Sequence, residues 1–392
     1  MPSPPPPLRR DQDIVAAAEV AAESRTLAPA STYRRREPAF ANVEVLAASD
    51  RAALELRWRQ PEEAAPAIHL HRIGPCRVTF PGVVRLADGR VVAESLHNLP
   101  EPRRQAMLAE PPRPHPPHGA EAAPPGETPL LLARAGSGNY GHWLVEHLGA
   151  LLMLRRRWPG MAPISSPGGV PRGAPRLLVH AVAGEGMRRV LADSAALAGL
   201  GAESLLPLRR QALDLPSLLV LTPGSTHPTM KHPAVIAALA RLAPAIPAGP
   251  PLFIRRTSTT KRVLHNIEAV EAAAHRLGFV TIEPGRMTLA EQIAAFAGAR
   301  VVAGVSGADL TNIAFMPPRG QVVCLLPATG RNFFFWDLCC LRRHRYWSVF
   351  GPPLTDRGGG HDDFTVDVAL AARVMERALE QDRRTHAAVT PP

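Results

Sequence analysis

A chain of 392 residues, 46% of them hydrophobic, is long enough for two domains with sizeable cores. Its formal charge of +11 comes from arginine, and with only 5% aromatic residues it lacks the basic, aromatic-rich pattern of nucleic-acid-binding proteins. No apolar run approaches the roughly 20 residues of a membrane helix, and the N-terminus has no secretory signal. We therefore expect a cytoplasmic protein without a nucleic-acid partner; peripheral contact with the inner membrane and the oligomeric state stay open.

Metal-ligand patterns are missing from the sequence. None of the four cysteines (Cys76, Cys324, Cys339, Cys340) stands in a CxxC spacing, which argues against a zinc site and a disulfide framework. An HExxH motif is absent, and the one Asp-x-Asp, at Asp11 and Asp13, lies in a proline-bounded terminus. Mg²⁺ held by carboxylates beside a nucleotide has no obvious place here, so we expect no metal.

Proline and glycine divide the chain. Residues 1–40 resemble a disordered proline- and arginine-rich tail, and residues 100–129 an irregular proline-rich insertion. The segment PAIPAGPP at 244–251 is typical of a linker, which predicts an N-terminal domain at 41–245 and a C-terminal domain at 246–392. In the first domain, Asp88-Gly89 predicts a hairpin, and strand-like and helix-like segments alternate from 130 to 222, as in a parallel sheet covered by helices.

The C-terminal half repeats this alternation more regularly. Strands are predicted at LFIRR, FVTIEP, RVVAGV and QVVCLL. The first helix begins near Asn266 and ends at Gly278, and a second begins with a capping box of Thr288 and Glu291. A short helix is predicted in GADLTNIAFM, and a last one from about Asp363 to Gln381. This order is Rossmann-like, and ligands of such sheets bind beyond the carboxyl ends of the strands.

Three segments carry residues suited to chemistry, each with a structural alternative. In VVAGVSGADLTN a strand enters a glycine-rich turn and a helix start, which suits phosphate but also close packing. RRTSTTKRVLHN gathers cations that suit a diphosphate but also a solvated loop. In NYGHWLVEHL, His142 and Glu146 share one helix face, as a base and its orienting carboxylate would, or as a structural histidine would.

The residues of these segments resemble glycosyltransferase family 61, best after residue 250 and over roughly 130–330 as a whole. The matching motifs are GHWLVE with His142 and Glu146; IRR with Arg255, Arg256, Arg262 and Asn266; LAEQ with Gln292; and GVSGADLTNIAFMPP at 304–318. The resemblance implies a GT-B-like α/β fold with two Rossmann-like domains facing a cleft. It also implies inverting transfer of a sugar to a glycan acceptor, in bacterial-type members for capsular or other envelope polysaccharides. Ser306 and Asp309 depart from the family, where many members have His and Gly.

Under this resemblance the C-terminal domain binds the nucleotide sugar, a co-substrate needed without any further cofactor, and the N-terminal domain binds the acceptor. The donor-binding candidates are Arg255, Arg256, Arg262, Asn266, Gln292, Gly304, Ser306, Gly307, Ala308 and Asn312. The catalytic base is either Asp309 or His142 paired with Glu146. Because side chains alternate along a strand, Arg256 is expected to face the diphosphate and Arg255 the opposite side.

Two other functions stay open. A non-catalytic nucleotide-sugar-binding protein would explain the departures at Ser306 and Asp309. A serine hydrolase would use Ser306 in GVSGA with Asp337 and either His344 or His361, in the order Ser, Asp, His. Pro317 and Pro318 argue against the hydrolase, because a nucleophile elbow normally opens a long helix.

Overall fold

The computed structural model describes residues 13–109, 121–122, 128–157, 175–182, 184–209, 212–256, 260–330, 333–358 and 360–387. It is a mixed α/β structure of two compact units. Unit 1 comprises Met1–Ala30 and Pro66–Gly224, and unit 2 comprises Ser31–Ala65 and Ser225–Pro392. Among these described residues, no helix combines the length and apolarity needed to cross a membrane.

The strands are numbered along the chain: β1 (Ile14–Val15), β2 (Ala21–Ala28), β3 (Ser31–Arg34), β4 (Ala39–Phe40), β5 (Glu62–Ala65), β6 (Ile68–Ile73), β7 (Cys76–Thr79), β8 (Val83–Leu86), β9 (Val91–Val92), β10 (Glu121–Ala122), β11 (Leu130–Leu131), β12 (Leu177–His180), β13 (Leu205–Leu208), β14 (Leu213–Leu215), β15 (Leu218–Leu221), β16 (Ser225–Thr226), β17 (Met230–Lys231), β18 (Leu252–Ile254), β19 (Val280–Ile282), β20 (Val301–Val305), β21 (Gln321–Pro327) and β22 (Arg345–Gly351).

The α-helices are α1 (Ala17–Val20), α2 (Ala48–Arg59), α3 (Glu101–Ala109), α4 (Tyr140–His142), α5 (Gly149–Arg157), α6 (Glu185–Leu197), α7 (Pro233–Ala240), α8 (Ile267–Arg276), α9 (Leu289–Gly298), α10 (Phe334–Arg342) and α11 (Val368–Ala387). A π-helix, Trp143–Leu148, joins α4 to α5. The 3₁₀ segments are Val43–Val45, Ala93–Leu96, Ala202–Ser204, Pro284–Arg286 and Ala308–Phe315.

Unit 1 packs two six-stranded sheets, with strand orders β1-β9-β8-β7-β14-β10 and β13-β12-β11-β15-β6-β2. Their apolar faces share one core, in which Val78 and Val84 of the first sheet meet Leu178 and Val220 of the second. The predicted parallel pairing is confirmed for β13, β12, β11 and β15, while β6 and β2 extend that sheet antiparallel. The Asp88-Gly89 hairpin is also confirmed, because β8 and β9 pair antiparallel around it.

Unit 2 is built on a sheet whose six strands, in the order β19-β18-β20-β21-β22-β4, are all parallel. Helices α8 and α11 cover one face, where Val270, Val374 and Met375 pack on Val323 of β21. The four predicted strands and the Thr288–Glu291 capping box are confirmed. Gly278, with φ of +85°, follows α8 as predicted. All carboxyl ends of the parallel strands lie at one edge of the sheet.

The predicted disordered tail at 1–40 is wrong for its described part, residues 13–40. Strand β2 pairs along its length with β6 and buries Leu27, so it is an integral part of unit 1. Strand β4 pairs with β22 and forms the edge of the unit 2 sheet. Neither segment shows apolar alternation in its sequence. Both form strands because distant strands supply their backbone hydrogen bonds. Residues 1–12, which hold most of the Asp-x-Asp motif, lie outside the described residues.

The predicted irregular insertion at 100–129 contains helix α3. Pro102 does not break this helix because it stands in the first turn, where the missing N–H has no intrahelical partner. Residues 110–120 and 123–127 of the insertion lie outside the described residues.

The compact units also differ from the predicted boundary near the linker at 244–251. The chain passes into unit 2 at Ser225, because Lys231 forms a buried ion pair with Asp337 (Nζ to Oδ2, 3.0 Å) and α7 buries Val235 and Leu239. The proline-rich segment is thus a connection inside unit 2.

One predicted helix start is displaced, and another lies where it was predicted but lacks a side-chain cap. Helix α11 begins at Val368 rather than near Asp363, because the Asp363 carboxylate accepts a hydrogen bond from Val263 N (2.9 Å) and Asp367 accepts one from Leu370 N instead (3.0 Å). Asn266 precedes α8 without capping it by its side chain. The short helix predicted in GADLTNIAFM is of the 3₁₀ type.

Candidate functional site

The carboxyl edge of the unit 2 sheet gathers the residues that follow β18 and β20. Ile254 and Gly304 are paired across these strands, and a Cβ on Gly304 would lie 2.8 Å from the Ile254 Cβ. Glycine is therefore needed at position 304 for close strand packing, and the predicted donor contact of Gly304 stays a prediction. The packing brings Arg256 beside the turn at Ser306 and Gly307.

Arg256 lies directly against the backbone of this turn. A Cβ on Gly307 would lie 2.6 Å from Arg256 Cζ, and Arg256 Nη1 donates a hydrogen bond to Ser306 O at 3.2 Å. Burial lowers the pKa of Arg256, although the charge of Asp309 opposes this effect. A guanidinium that is partly desolvated and held by backbone is prearranged for an anion.

Arg262 and His361 form a second polar group at the same edge. Arg262 N donates a hydrogen bond to His361 O at 3.2 Å. Burial and the charge of Arg256 lower the pKa of Arg262 to about 10. Arg262 Nε and His361 Nδ1 are both buried without a hydrogen-bond partner. Because buried polar atoms are usually satisfied, these two atoms indicate a place for a ligand.

His361 was not among the donor-site candidates of the sequence analysis. It lies in the glycine-rich segment DRGGGHDD that follows the last strand in sequence, β22. The neighbouring Asp362 anchors this segment by accepting hydrogen bonds from Thr329 Oγ1 and Arg357 N, both at 2.5 Å. The signal available in the sequence was a histidine that follows three glycines in the segment after the last strand.

Asp309 is the second residue of the 3₁₀ segment and lies close enough to Arg256 for their charges to interact. Burial raises the pKa of Asp309, and the charge of Arg256 opposes the shift. Asn312 Nδ2 holds the Asp309 backbone by donating hydrogen bonds to Asp309 O (3.0 Å) and to Gln292 Oε1 (2.8 Å). Asn312 and Gln292 are 0% and 4% exposed. Both were predicted donor contacts, but the structure uses their side chains to position Asp309. Ala308, half-buried, opens the same segment.

Two further predicted donor contacts point elsewhere. Arg255 pairs with Glu271 (2.5 Å) and Glu268 (3.2 Å) on α8, so it faces away from Arg256, as strand alternation requires. Asn266 exchanges side-chain hydrogen bonds with the backbone of Val366, at 2.8 Å and 3.2 Å. Its amide therefore fastens the start of α8 to the segment before α11.

Unit 1 holds the predicted His–Glu pair. His142 Nδ1 lies 2.6 Å from Glu146 Oε1, and Asn98 Nδ2 donates to both carboxylate oxygens at 2.9 Å. Glu146 accepts the Nδ1 proton, so the acceptor nitrogen of a neutral His142 ring is Nε2. A Cβ on Gly136, whose φ is +91°, would meet the His142 ring at 3.2 Å, so the ring also packs on backbone.

The π-helix Trp143–Leu148 places Glu146 in the interior of unit 1. Such insertions are frequent at functional sites. Burial favours the neutral acid, yet hydrogen bonding and charge from His142 prevail and lower the pKa of Glu146. The adjacent His147, 1% exposed, has its pKa lowered by burial to about 3. The arrangement keeps an ionised carboxylate behind His142, which suits general-base chemistry.

The serine hydrolase alternative finds no support in the surroundings of Ser306, Asp337 and His344. Ser306 is 1% exposed and lies beside the buried Cys324 thiol. Asp337 is held by Tyr33, Arg35 and Lys231. Both ring nitrogens of His344 are occupied by backbone, from Gly320 N and Ile313 O, each at 3.1 Å. Neither group can activate Ser306 as a nucleophile.

The comparison with protein families bears on residues of both units. The family described as Glycosyltransferase 61 matches residues 140–323, a segment that contains His142 and Glu146 of unit 1 and Arg256, Arg262 and Asp309 of unit 2. His361 lies beyond the matched segment. A search of curated proteins found no match to the chain.

Proposed function

Because residues 140–323 match the glycosyltransferase 61 family, we propose that this chain transfers a sugar from a nucleotide sugar to a glycan acceptor, with the donor diphosphate bound at the carboxyl edge of the unit 2 sheet. The observation that carries this proposal is Arg256, held against Gly307 and close to the unpartnered Arg262 Nε. Guanidinium groups bind phosphate oxygens in bidentate fashion, and their charge stabilises a diphosphate as it leaves.

The proposed reaction is an inverting displacement. The acceptor hydroxyl attacks the anomeric carbon, the bond from that carbon to the diphosphate oxygen breaks, and the hydroxyl proton passes to a base. One candidate base is His142 of unit 1, whose ring Glu146 holds at 2.6 Å with Nε2 as the acceptor nitrogen. Asp309 is the alternative base, and its raised pKa suits that task.

Several finer features belong to the same proposal. Unit 2 would be the donor domain of a GT-B enzyme, which its all-parallel sheet supports, and unit 1 would serve the acceptor. Transfer would need no divalent metal or other cofactor, since arginine supplies the positive charge. The products would be capsular or other envelope polysaccharides.

The test is a screen of nucleotide sugars by thermal shift, followed by a transfer assay with the best ligand in excess EDTA. We expect one nucleotide sugar to raise the melting temperature by mass action and transfer to survive EDTA. Activity that EDTA abolishes and Mn²⁺ restores would contradict metal independence. Binding without turnover with any acceptor would instead favour a non-catalytic sugar-nucleotide-binding protein.

The base is tested by His142→Asn, Glu146→Gln and Asp309→Asn. Loss of a general base typically lowers kcat by 10²–10⁴-fold, and we expect this for His142→Asn, with a smaller loss for Glu146→Gln. Nucleoside diphosphate binding should be unchanged in both. A loss of kcat confined to Asp309→Asn would move the base to unit 2.

A further inference from the structure

A cavity of about 450 Å³ opens on unit 2 at the amino-terminal edge of its sheet. Gln321 and Arg345, the first residues of β21 and β22, line it, together with Gln381 and Thr385 near the end of α11. Because the sheet is parallel, this edge is opposite to the one that carries Arg256. The cavity is therefore separate from the proposed donor site.

The cavity is strongly basic. Four exposed arginines line it, Arg36, Arg319, Arg343 and Arg345, against the one acidic residue Glu37. Within the described ranges of the chain, none of the four forms an ion pair with a carboxylate. Guanidinium groups without internal partners are suited to an external carboxylate or phosphate.

Two of these arginines occupy backbone positions that disfavour them. Arg319 and Arg343 have φ of +70° and +60°, in the left-handed region where glycine or asparagine fits with less strain. The turns at both positions would form more easily without a large side chain. Strained residues that gather at one cavity point to a function for the side chains.

The cavity also presents a fixed aromatic surface. Trp347 is half-buried, and its Nε1 donates a hydrogen bond to Gln321 Oε1 at 3.0 Å. Arg345 Cζ lies 5.7 Å from the Trp347 ring centroid, so guanidinium and indole stack. The flat indole of Trp347 beside guanidinium groups suits a ligand that has an apolar ring face and anionic substituents.

We propose that this cavity binds an acidic saccharide, whose sugar ring packs on Trp347 and whose carboxylates pair with Arg319 and Arg343. A recessed cavity with an aromatic surface favours a saccharide over a membrane surface, which would need a flat basic face. This assignment does not depend on the proposed transfer reaction, because it rests on residues of the opposite sheet edge.

The test is calorimetric binding of tetragalacturonate to the full-length protein. The informative variant is Arg319→Gly/Arg343→Gly, since glycine accepts both backbone conformations and removes two charges without a cost to the turns. The matched control is Arg276→Ala/Arg373→Ala, an equal change of charge at exposed positions on α8 and α11 that do not line the cavity.

We expect the parent and the control to bind tetragalacturonate alike, and the Arg319→Gly/Arg343→Gly variant to bind at least tenfold more weakly while it melts no lower than the parent. The neutral methyl ester should bind much more weakly than the acid. Absence of binding to the parent, or equal binding to both double variants, would overturn the proposal. If pyrophosphate binds as tightly as tetragalacturonate, the cavity is a general anion site, and this result also overturns the proposal.

Discussion

At the scale of single residues, the unit 2 site depends on which of two adjacent arginines faces the turn at Ser306 and Gly307. Arg256 contacts Gly307, whereas Arg255 is paired with two glutamates of α8. The same residue type at neighbouring positions thus has two different tasks. This difference makes the pair a matched test of the donor site.

We expect Arg256→Ala to weaken nucleoside diphosphate binding about tenfold to hundredfold, because a charged hydrogen bond contributes about 1.5–3 kcal/mol. Arg256→Lys should recover part of the affinity, since lysine keeps the charge but not the planar fork. Arg255→Ala should leave affinity nearly unchanged. The measurement is calorimetry with circular dichroism as the folding control, and parent-like binding by folded Arg256→Ala would refute the assignment.

His361 provides a second residue-scale test. Its buried Nδ1 has no hydrogen-bond partner and lies with Arg262 at the site. We expect His361→Ala to weaken diphosphate binding severalfold, as the loss of one neutral hydrogen bond of about 0.5–1.5 kcal/mol implies. The control is His265→Ala, an exposed histidine of the same unit. If both variants bind equally, His361 does not contact the donor.

At the scale of elements, a buried ionic cluster joins the segment Ser31–Ala65 to the rest of unit 2. The Asp337 carboxylate on α10 accepts hydrogen bonds from Tyr33 (2.6 Å), Arg35 (3.1 Å) and Lys231 (3.0 Å). Asp337 is 0% and Lys231 1% exposed. Two buried cations share one carboxylate, so its loss would remove the anion beside Lys231, while Arg35 would keep only the Glu63 carboxylate at 2.8 Å.

We expect Asp337→Asn to destabilise unit 2 by about 3–5 kcal/mol, the usual cost of breaking a buried ion pair on one side. Chemical denaturation monitored by circular dichroism measures the effect. Asp367→Asn is the matched control, because it removes an exposed carboxylate from a helix start where asparagine caps equally well. A stability loss below about 1 kcal/mol for Asp337→Asn would contradict this prediction, because it would show that the neighbouring groups rearrange to compensate for the lost charge.

The elements that sequence predicted are those whose signals are local. The strands at 252–254 and 301–305 are continuous apolar runs, and Thr288 with Glu291 is a self-contained cap. Strands β2 and β4 were not predicted from the sequence, because the strands that they pair with, β6 and β22, lie far along the chain.

The same distinction holds for the site. Arg256 and the His142–Glu146 pair follow from alternation and helical spacing, which are local rules. For Gln292 and Asn312 the sequence shows the polar residue type but not the partner, which is another buried amide. The sequence analysis did not include His361 among the candidates, because its place beside Arg262 depends on the folding of a glycine-rich segment.

At the scale of the whole molecule, each unit contains a deeply buried histidine. Burial lowers the pKa of His147 in unit 1 and of His344 in unit 2 to about 3, from an ordinary value of 6.5. Between these values the unfolded chain binds protons that the folded chain does not. The free energy of unfolding therefore rises with pH, and this stability is lost as pH falls below about 6.5.

We expect each histidine to contribute a slope of about 1.4 kcal/mol per pH unit between about pH 6 and pH 4. Denaturant unfolding at a series of pH values measures the slope. His147→Phe should flatten the pH dependence of unit 1 even if it changes the absolute stability, because the readout is the slope. An unchanged slope in this variant would mean that His147 is not kept neutral in the folded state.

The pairing of β4 with β22 has a consequence for the order of synthesis. Phe40 leaves the ribosome early, but its strand partner Ser348 lies 308 positions later in the chain (348 − 40 = 308). At about 5–20 residues per second, the edge strand waits roughly 15–60 seconds for the sheet that receives it. During that interval Pro66–Gly224, the larger part of unit 1, emerges between the two partners. A C-terminal fragment starting at the proline-rich segment 244–251 would lack β4, Arg35 and Lys231. Recombinant unit 2 therefore has to be expressed together with both segments that supply these residues.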